Sequence, residues 1–559
     1  MTPRPWTGLW RGIALAILQL LLGRVPADRG SQQPWEQAAH RRRHALLAFV
    51  FGATGLAVFV AWGATAAEPL EWRTIYLTLF ALLFAWVCAG FATAAMGFLV
   101  LLRGDRHALS APVDPTIDPV ARAAVAMTIC NEDVATVFAG LRATCESLLA
   151  TGRQSLFDVF VLSDTRDGAL RAVEIQAWET LASQFEVHGL RVHYRWRRRR
   201  AHRKAGNIAD FCRRWGRNYR YMVVLDADSV MTGESLVAMV ALMEANPRAG
   251  IVQTAPRACG HDTFHARAQS FLGRVTGALF TRGLAYWQLG ESHYWGHNAI
   301  IRVEPFMRHC ALARLPGREG SAAEILSHDF VEAALMRRAG FEVWLAPDIE
   351  GSFEQPPAHL LDELQRDRRW CHGNLLNARL IAEPGLSSVH RAMFATGLLS
   401  YVASPLWLAF VVLGFLKGVQ FGADRTAPLW WAVLVMLLLP RALGVMLVLA
   451  RREQAAFGGL FGLVSGATLE ALLSAFQAPI RMAAHTLFVV ASLTGLKLEW
   501  KSPARAASAL GWREAAARLR WLSLPLGTVG VVAIPHTHGG STSASMPLLL
   551  PLVFAVPLV

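Results

Sequence analysis

Hydrophobic positions along the chain fall into runs long enough to cross a bilayer, separated by one long block that has none. Runs at about 45–65, 75–102, 392–416 and 429–450 each exceed the roughly 20 residues that a membrane helix needs. The block from about 104 to 391 contains no such run. The pattern therefore predicts a multi-pass α-helical membrane protein with one large water-soluble domain between its second and third spans.

The last part of the chain is apolar but less regular. Polar residues and a proline interrupt the stretch 455–496, which predicts either two short spans or one span plus an interfacial helix. Two shorter runs, 521–535 and 545–559, predict a closing hairpin, so that the total would be eight spans. The apolar residues 13–22 are too few to span and predict an amphipathic segment on the membrane surface.

These runs set the predicted domain boundaries. The chain divides into a basic N-terminal segment (1–44), two spans (45–103), a soluble domain (104–391) and a C-terminal membrane region (392–559). Most of the acidic residues lie in the soluble domain. We therefore expect the chemistry there.

Charge and composition narrow the class of protein further. Lys and Arg number 55 against 41 Asp and Glu, and the loop between the first two spans carries only one of these bases, Arg73. Because basic loops remain in the cytoplasm, the N terminus and the soluble domain are predicted to be cytoplasmic. The 53% hydrophobic residues exclude a disordered or collagen-like chain, and the seven scattered Cys give no disulfide framework.

Short apolar runs that end in polar residues recur within the soluble domain. They lie at 123–129, 157–162, 220–225 and 249–253, and helical stretches separate them. Strands that alternate with helices predict an α/β fold with a parallel or mostly parallel sheet. Ligands bind at the carboxyl ends of such strands, so the polar residues there are candidates for a site.

The clearest candidates are Asp226 and Asp228, which follow the third of these runs. Two carboxylates at positions i and i+2 of an extended segment project to the same side. Together they can hold a hard divalent cation whose remaining ligands are water and substrate phosphate. Asp164 ends the second run and would lie at the same edge of the sheet. The alternative for the pair is a turn or a helix cap.

A basic run precedes this pair. Residues 195–204 include six Arg and end at Lys204, the only Lys before residue 417. Lys204 lies beside Gly206, which allows close backbone approach, so its ammonium group could bind a diphosphate. For residues 197–200 a solvated or membrane-surface face is an equal alternative.

Two further segments are ambiguous alone. Asp329, in Ser-His-Asp at 327–329, opens a helical stretch, where an acid also stabilises a helix N-terminus. Residues 365–370 (QRDRRW) stand before the third span, where a basic helix with an interfacial Trp is the simpler interpretation.

Taken in chain order, these elements resemble a processive family-2 glycosyltransferase of the GT-A fold. That family has a strand ending near Asn-Glu, a strand-end Asp, a DxD pair, a [T/S]-x-D acid and a Q-x-x-R-W segment. Here the matching positions are Asn131 and Glu132, Asp164, Asp226 and Asp228, 327–329, and 365–370. Local strings are most similar to a subgroup of Gram-negative glucosyltransferases that build osmoregulated periplasmic glucans, including ICNED (129–133), RKAGNIADFCRRWG (203–216), SHDFVEAALMRRAG (327–340) and LQRDRRWCHGNL (364–375).

The sequence departs from the family pattern at two places. The segment Gln365 to Trp370 is one residue longer than the family motif, so either Arg368 or Arg369 could fill the arginine role. Thr128 stands where relatives often have Pro, which would affect only the geometry of the turn.

The resemblance implies a UDP-glucose donor bound with Mg²⁺ or Mn²⁺. Asn131, Glu132 and Asp164 would lie on the uridine side, Asp226 toward the ribose and diphosphate, and Asp228 on the metal. The family mechanism uses one base and inverts the anomeric carbon.

The remaining family positions imply roles around the phosphates and the acceptor. Lys204 and the 365–370 segment, which includes Gln365, Arg368 and Arg369, would offset phosphate charge. Asp329 would be the base, and Trp370 would stack on the acceptor sugar.

The resemblance also implies partners and a location. The acceptor would be a growing β-glucan, which the subgroup implies is β-1,2-linked, made at the bacterial inner membrane and exported to the periplasm. Membrane lipid and acyl carrier protein are expected partners, and no nucleic acid is. The alternatives are another family-2 synthase, of cellulose-, chitin- or hyaluronan-like chains, or a transporter or receptor with a basic cytoplasmic domain.

Overall fold

The computed structural model describes residues 3–8, 10–15, 33–112, 117–315, 324–416, 426–496 and 512–517. The predicted closing hairpin at 521–559 and most of the amphipathic segment at 13–22 lie outside these residues.

Helices and strands are numbered here in chain order. The main helices are α1 (Pro34–Ala64), α2 (Leu70–Arg103), α3 (Val134–Ala150), α4 (Gly168–Glu186), α5 (Arg203–Trp215), α6 (Gly233–Ala245), α7 (Phe264–Gln288), α8 (Val303–His309), α9 (His328–Arg338), α10 (Leu360–Asn377), α11 (Ser388–Leu416), α12 (Ala427–Ala450) and α13 (Gly459–Thr494). The strands are β1 (Ala123–Ile129), β2 (Phe157–Ser163), β3 (Arg191–Trp196), β4 (Tyr221–Asp226), β5 (Val230–Met231), β6 (Ala249–Thr254), β7 (Arg257–Ala258), β8 (Ala299–Arg302), β9 (Glu342–Ala346) and β10 (Ser352–Glu354).

Among the described residues, five helices are long and apolar enough to cross a membrane: α1, α2, α11, α12 and α13. The first four confirm the four long apolar runs. The fifth corrects the prediction for 455–496, because α13 is one continuous helix with Pro479 inside it rather than two separate segments. Tertiary partners explain the difference, since the polar side chains that interrupt this stretch pair with α10 and α12 instead of ending the helix.

The soluble domain is built on a seven-stranded sheet in the order β3-β2-β1-β4-β8-β6-β9. Strand β8 runs antiparallel to β4 and β6, and the other neighbours are parallel. Buried side chains fill both faces of β1 and β2, as expected when helices cover both sides of a parallel sheet. The four predicted strands and the mostly parallel sheet are therefore confirmed.

A second, smaller sheet lies next to the DxD pair, Asp226 and Asp228. It has three short strands in the order β5-β10-β7, and β5 begins two residues after Asp228. The carbonyl of Gly351 accepts the amide of Thr232, with N and O 2.8 Å apart, which ties β5 to the turn before β10. This sheet forms one wall of the cleft above the carboxyl ends of β1 and β4.

Helix α7 belongs to the soluble domain in sequence but packs along the membrane helices. A Cβ on Gly97 of α2 would lie 1.7 Å from the carbonyl oxygen of Leu279, and one on Gly444 of α12 would lie 2.4 Å from that of Val275. Side chains larger than hydrogen would push these helices apart, so small residues here permit close helix packing. The soluble domain and the membrane region therefore form one packed body along α7.

Buried ion pairs fix the other junction, at the start of α1. Arg42 forms a bidentate pair with Asp105, with both N–O distances 2.7 Å. Arg337 lies 2.6 Å from Glu36 and 3.2 Å from Glu291. Arg42 of the basic N-terminal segment, together with Arg337 of α9, thus attaches the first membrane helix to the domain.

Candidate active site

The parallel register brings the predicted strand-end residues to one edge of the sheet. Ile129 pairs with Ser163 of β2, and Thr128 pairs with Asp226 of β4. Asn131 and Asp164 follow these strand ends directly. The side chains singled out on separate strands therefore surround one cleft.

Asp164 has a partner that the sequence did not predict. The Arg197 guanidinium donates to both of its carboxylate oxygens at 2.6 and 2.7 Å, and both side chains are buried. Arg200 donates to the Thr165 carbonyl oxygen at 2.6 Å. The solvated-face alternative is therefore wrong for Arg197, which lines the floor of the cleft.

Hydroxyl and amide groups hold the two loops of this floor together. Asn131 has a left-handed backbone, with φ 60°, and its side-chain oxygen accepts the amide of Arg166 at 2.8 Å. Its own amide donates to the Thr165 hydroxyl at 3.0 Å. Below them, the buried Glu174 carboxylate accepts the hydroxyls of Ser163 and Thr165. Glu132 instead turns back and accepts the amide of Cys130.

Lys204 lies between the DxD pair and a glycine loop. Its ammonium group forms an ion pair with Asp226 and donates to the Gly296 carbonyl oxygen at 2.7 Å. Burial raises the pKa of Asp226, but the charges of Lys204 and His297 outweigh it and hold the pKa below its ordinary value. Asp226 is therefore an anion already paired with the cation predicted to bind phosphate.

Asp228 opens into the cleft, and its exposed side chain forms no ion pair with the residues that the structure describes. Partial dehydration within the cleft and repulsion by Asp226 raise its pKa to about 6. Carboxylate oxygens are the ligands that Mg²⁺ and Mn²⁺ prefer, and a cation between these two groups would relieve their repulsion. In the part of the chain that the structure describes, no group of three or more His, Cys, Asp and Glu could hold a metal alone. The donor set thus fits a cation completed by phosphate oxygens and water.

The loop 294–298 completes the cleft, and sequence reasoning gave it no role. The Gln253 side chain accepts the amide of Trp295 at 2.8 Å and donates to the His297 carbonyl at 2.9 Å. The buried Asn298 donates to Ser352 Oγ at 2.9 Å, which fastens the loop to the second sheet. The signal in the sequence was a Gly-His-Asn string after two aromatic residues, but its partners are distant along the chain.

Asp329 stands in the first turn of α9 and faces this loop. Gly296 has φ 90°, and a Cβ there would lie 3.4 Å from the Asp329 carboxylate, so Gly296 both tolerates the backbone geometry and leaves the acid open. Burial raises the pKa of Asp329, against the opposing charges of His328 and Lys204. Asp226, Lys204, Gly296 and Asp329 thus form one continuous wall.

His328, the middle residue of the Ser-His-Asp segment, is partly buried. Its Nδ1 lies 3.1 Å from Glu332. Burial lowers the pKa of His328, but the Glu332 carboxylate outweighs it and raises the pKa above the ordinary value. The Glu332 carboxylate therefore favours the charged form of the imidazole next to Asp329.

Helix α10 carries the predicted Gln365 to Trp370 segment and meets the same loop. Asn377 donates to the Ser327 carbonyl at 2.7 Å, and a Cβ on Gly373 would lie 2.2 Å from Ser327 Oγ. Trp370 is 48% exposed with the Arg366 guanidinium 4.5 Å above its ring. The buried Gln365 Nε2 has no partner among the described residues, which leaves a donor for a ligand.

The two candidate arginines of this segment differ in exposure. Arg368 is partly buried, whereas Arg369 is exposed. The structure places both on the helix that borders the cleft.

Comparison with known proteins gives consistent matches. A model described as glycosyl transferase family 2 matches residues 124–310, and one described as glycosyl transferase family group 2 matches residues 221–447, so that together they span more than half of the chain. The chain is 48% identical over 553 residues to the glucans biosynthesis glucosyltransferase H of Cupriavidus pinatubonensis, covering 93% of this chain and 64% of that one. The protein of the same name from Ralstonia nicotianae is 49% identical over 556 residues, with the same coverage.

The chain therefore spans somewhat less than two thirds of the length of these relatives. Among solved structures, a mannosyltransferase from Pyrobaculum calidifontis in complex with GDP-Man and Mn²⁺ is 14% identical, with a TM-score of 0.40, covering 76% of this chain and 100% of that one.

Proposed function

The chain belongs to glycosyltransferase family 2, and from this we propose that it transfers glucose from UDP-glucose to a growing β-glucan. One observation carries the proposal: Asp226, Lys204, Gly296 and Asp329 form a continuous wall beside the open carboxylate of Asp228. A lysine that would bind the diphosphate, a carboxylate pair that would bind the cation and a partly buried carboxylate that would act as the base thus line one cleft. The names of the relatives support glucose as the transferred sugar and a glucan as the product.

The donor would lie along the carboxyl ends of β1, β2 and β4. Asn131 and the Asp164–Arg197 pair form the floor on which a uracil and ribose would rest. Because both Asp164 oxygens accept bonds from Arg197, a nucleotide would meet the pair rather than a free carboxylate. Lys204 would turn from Asp226 toward the diphosphate and neutralise part of its charge.

Asp228, with Asp226, would hold the Mg²⁺ or Mn²⁺ ion. Bound there, such an ion supplies Lewis-acid stabilisation of the negative charge that develops on the departing UDP. The site then needs no separate general acid for the leaving group. The Asp228 carboxyl contributes as an anion, so its raised pKa predicts weaker cation binding as the pH falls toward about 6.

Asp329 would act as the general base. Its partly buried carboxylate would accept the proton of the acceptor hydroxyl as that oxygen attacks C1 of the glucose, and a raised pKa makes it a stronger base. The C1–O bond to UDP breaks as the new C1–O bond forms. Attack opposite the leaving group turns an α-linked donor into a β-glucoside, through a transition state with oxocarbenium character.

Helix α10 would form the acceptor side. Trp370 offers an exposed indole for stacking on a sugar ring, and Gln365 offers the unpartnered amide noted above. The membrane helices packed around this side would supply the route by which the glucan reaches the other face of the membrane. Inner-membrane location, a cytoplasmic active site, β-1,2 linkage, export and an acyl carrier protein partner belong to this proposal.

The test is the product that the purified membrane protein makes from labelled UDP-glucose. We expect a labelled β-glucan whose formation requires Mg²⁺ or Mn²⁺, and whose methylation analysis gives 2-linked glucose. UDP-N-acetylglucosamine should not replace the donor. A 4-linked product would identify a cellulose-like synthase instead, and no labelled polymer with any sugar nucleotide would contradict the proposal.

A further inference from the structure

Two charged residues of the acceptor-side helix face away from the cleft, toward the last described membrane helix. Glu363 and Asp367 stand one turn apart on α10, and Arg481 and His485 stand one turn apart on α13. Side chains four residues apart lie on the same face of a helix. The two pairs therefore form matching rows across one helix interface.

The contacts across this interface are close and largely buried. Arg481 donates to both Glu363 oxygens at 2.9 and 3.0 Å, and His485 Nε2 lies 3.0 Å from the Asp367 carboxylate. The acidic side chains are each 12% exposed. From α7, His265 Nε2 lies 2.9 Å from Glu363, and Gln269 donates to it at 3.3 Å. A bidentate, shielded pair fixes the relative position of two helices more strictly than a surface pair does.

Apolar packing surrounds these two ion pairs. Leu360, Leu364 and Cys371 of α10 form one buried cluster with Ile480 and Phe488 of α13. The Tyr401 ring of α11 stands edge-on to His485 with centroids 5.2 Å apart. The α10–α13 contact is thus a packed interface rather than an isolated charge pair.

The opposite end of α10 reaches the proposed base. Gly373 and Asn377 contact Ser327, two residues before Asp329, and Trp370 lies between these contacts and Asp367. A helix is rigid over this length, so a displacement at Glu363 and Asp367 would be carried to Trp370 and to the Ser327 loop. Trp370 and the Ser327 loop, which carries Asp329, both belong to the acceptor side of the proposed site.

We propose that Glu363, Asp367, Arg481 and His485 are positioning residues that hold α10 against α13 and thereby set the place of the acceptor sugar. The proposal rests on the proposed function and adds to it a link between acceptor placement and a membrane helix. The donor side, built on β1, β2, β4 and α5, does not include these residues.

Asp367→Asn, His485→Gln and the double variant test the pair that is easier to perturb without unfolding. We expect each single variant to bind UDP-glucose within twofold of wild type, to transfer glucose at least tenfold more slowly, and to make shorter chains. The double variant should lose little beyond either single variant, because both remove the same interaction. Melting temperature and gel filtration establish that each variant is folded.

A charge exchange and a matched control complete the test. Glu363→Arg and Arg481→Glu should each reduce transfer, and their combination should recover at least part of it. Glu470→Gln removes a bidentate pair of the same type, between α13 and Arg441 of α12, without touching α10, and should keep transfer and chain length within twofold. Folded α10–α13 variants with wild-type transfer and chain length would overturn the proposal, as would equal losses in Glu470→Gln. If the wild-type protein itself makes no glucan, the proposed function fails instead.

Discussion

Replacing Glu363 by Gln should destabilise the whole protein by a predictable amount. Burial raises the pKa of this carboxyl, but hydrogen bonds from His265 and Arg481 outweigh it and lower the pKa from 4.5 to about 2. At about 1.4 kcal/mol for each unit of pKa difference, the charged form contributes roughly 3 kcal/mol to folding at neutral pH. A neutral Gln of the same shape forfeits that contribution.

The sign of the pH dependence follows from the lowered pKa. The stabilisation is complete above the unfolded pKa near 4.5 and is lost as the pH falls through the folded value of about 2. The stability gap between wild type and Glu363→Gln should therefore stay constant from pH 7 to pH 5. By pH 3 it should shrink to roughly half or less.

Denaturant unfolding in detergent micelles, followed by tryptophan fluorescence at pH 7, 5 and 3, measures this gap. Glu350→Gln is a suitable control, because Glu350 is exposed and pairs only at the surface with Arg257, 2.8 Å away. A gap below about 1 kcal/mol at pH 7, or one that is the same at pH 3, would refute the assignment of Glu363 as a strongly stabilised buried anion.

Three further changes test the site and its attachment. Lys204→Met removes the cation beside Asp226 and should raise the KM for UDP-glucose by about ten- to a hundredfold in steady-state assays. Lys204→Arg should restore little of the affinity, because a planar guanidinium does not replace a compact ammonium. An unchanged KM would exclude the phosphate-binding role of Lys204. Gly296→Ala should destabilise the protein by about 1–2 kcal/mol through backbone strain, which unfolding measures, and should lower kcat by crowding Asp329. A wild-type kcat would contradict the placement of Asp329 beside Gly296. Arg337→Met removes the partner of Glu36 and of one Glu291 oxygen, and should destabilise the protein by about 3 kcal/mol in thermal unfolding. A loss of stability under about 1 kcal/mol would show that the junction between α1 and the soluble domain is weak.

The strands that carry the site were predictable because their hydrophobic pattern indicates that they are buried. β1 and β4 are short apolar runs followed at once by polar residues, which is the pattern of a buried parallel strand that ends at a ligand site. Strand β3 was missed because its sequence, RVHYRW, resembles the start of a basic surface run. Its charges are accommodated by distant groups, such as Asp158 at 2.9 Å from Arg191 and the Asn207 side chain at 2.5 Å from Arg195.

The candidate site was likewise predictable in part: its residues could be named from the sequence, but their pairing could not. The family resemblance implied that Asp164, Asp226, Lys204 and Asp329 would line one site, but it did not imply the pairing of Asp164 with Arg197 or of Lys204 with Asp226. Each pairing depends on how a loop folds over a sheet edge, which no local pattern specifies. The sequence pattern predicted two segments in place of the single helix α13 for the same reason, because the partners of its polar residues lie on other helices.

The most direct test of the account compares donor binding and glucose transfer in Asp329→Asn. The amide keeps the shape of the side chain but cannot accept the acceptor proton as a base. We expect UDP-glucose to bind within threefold of wild type while transfer to the glucan falls by about a hundredfold or more. Transfer within threefold of wild type would contradict the role of Asp329, and a large loss of donor affinity would move this acid from the acceptor side to the nucleotide side of the cleft.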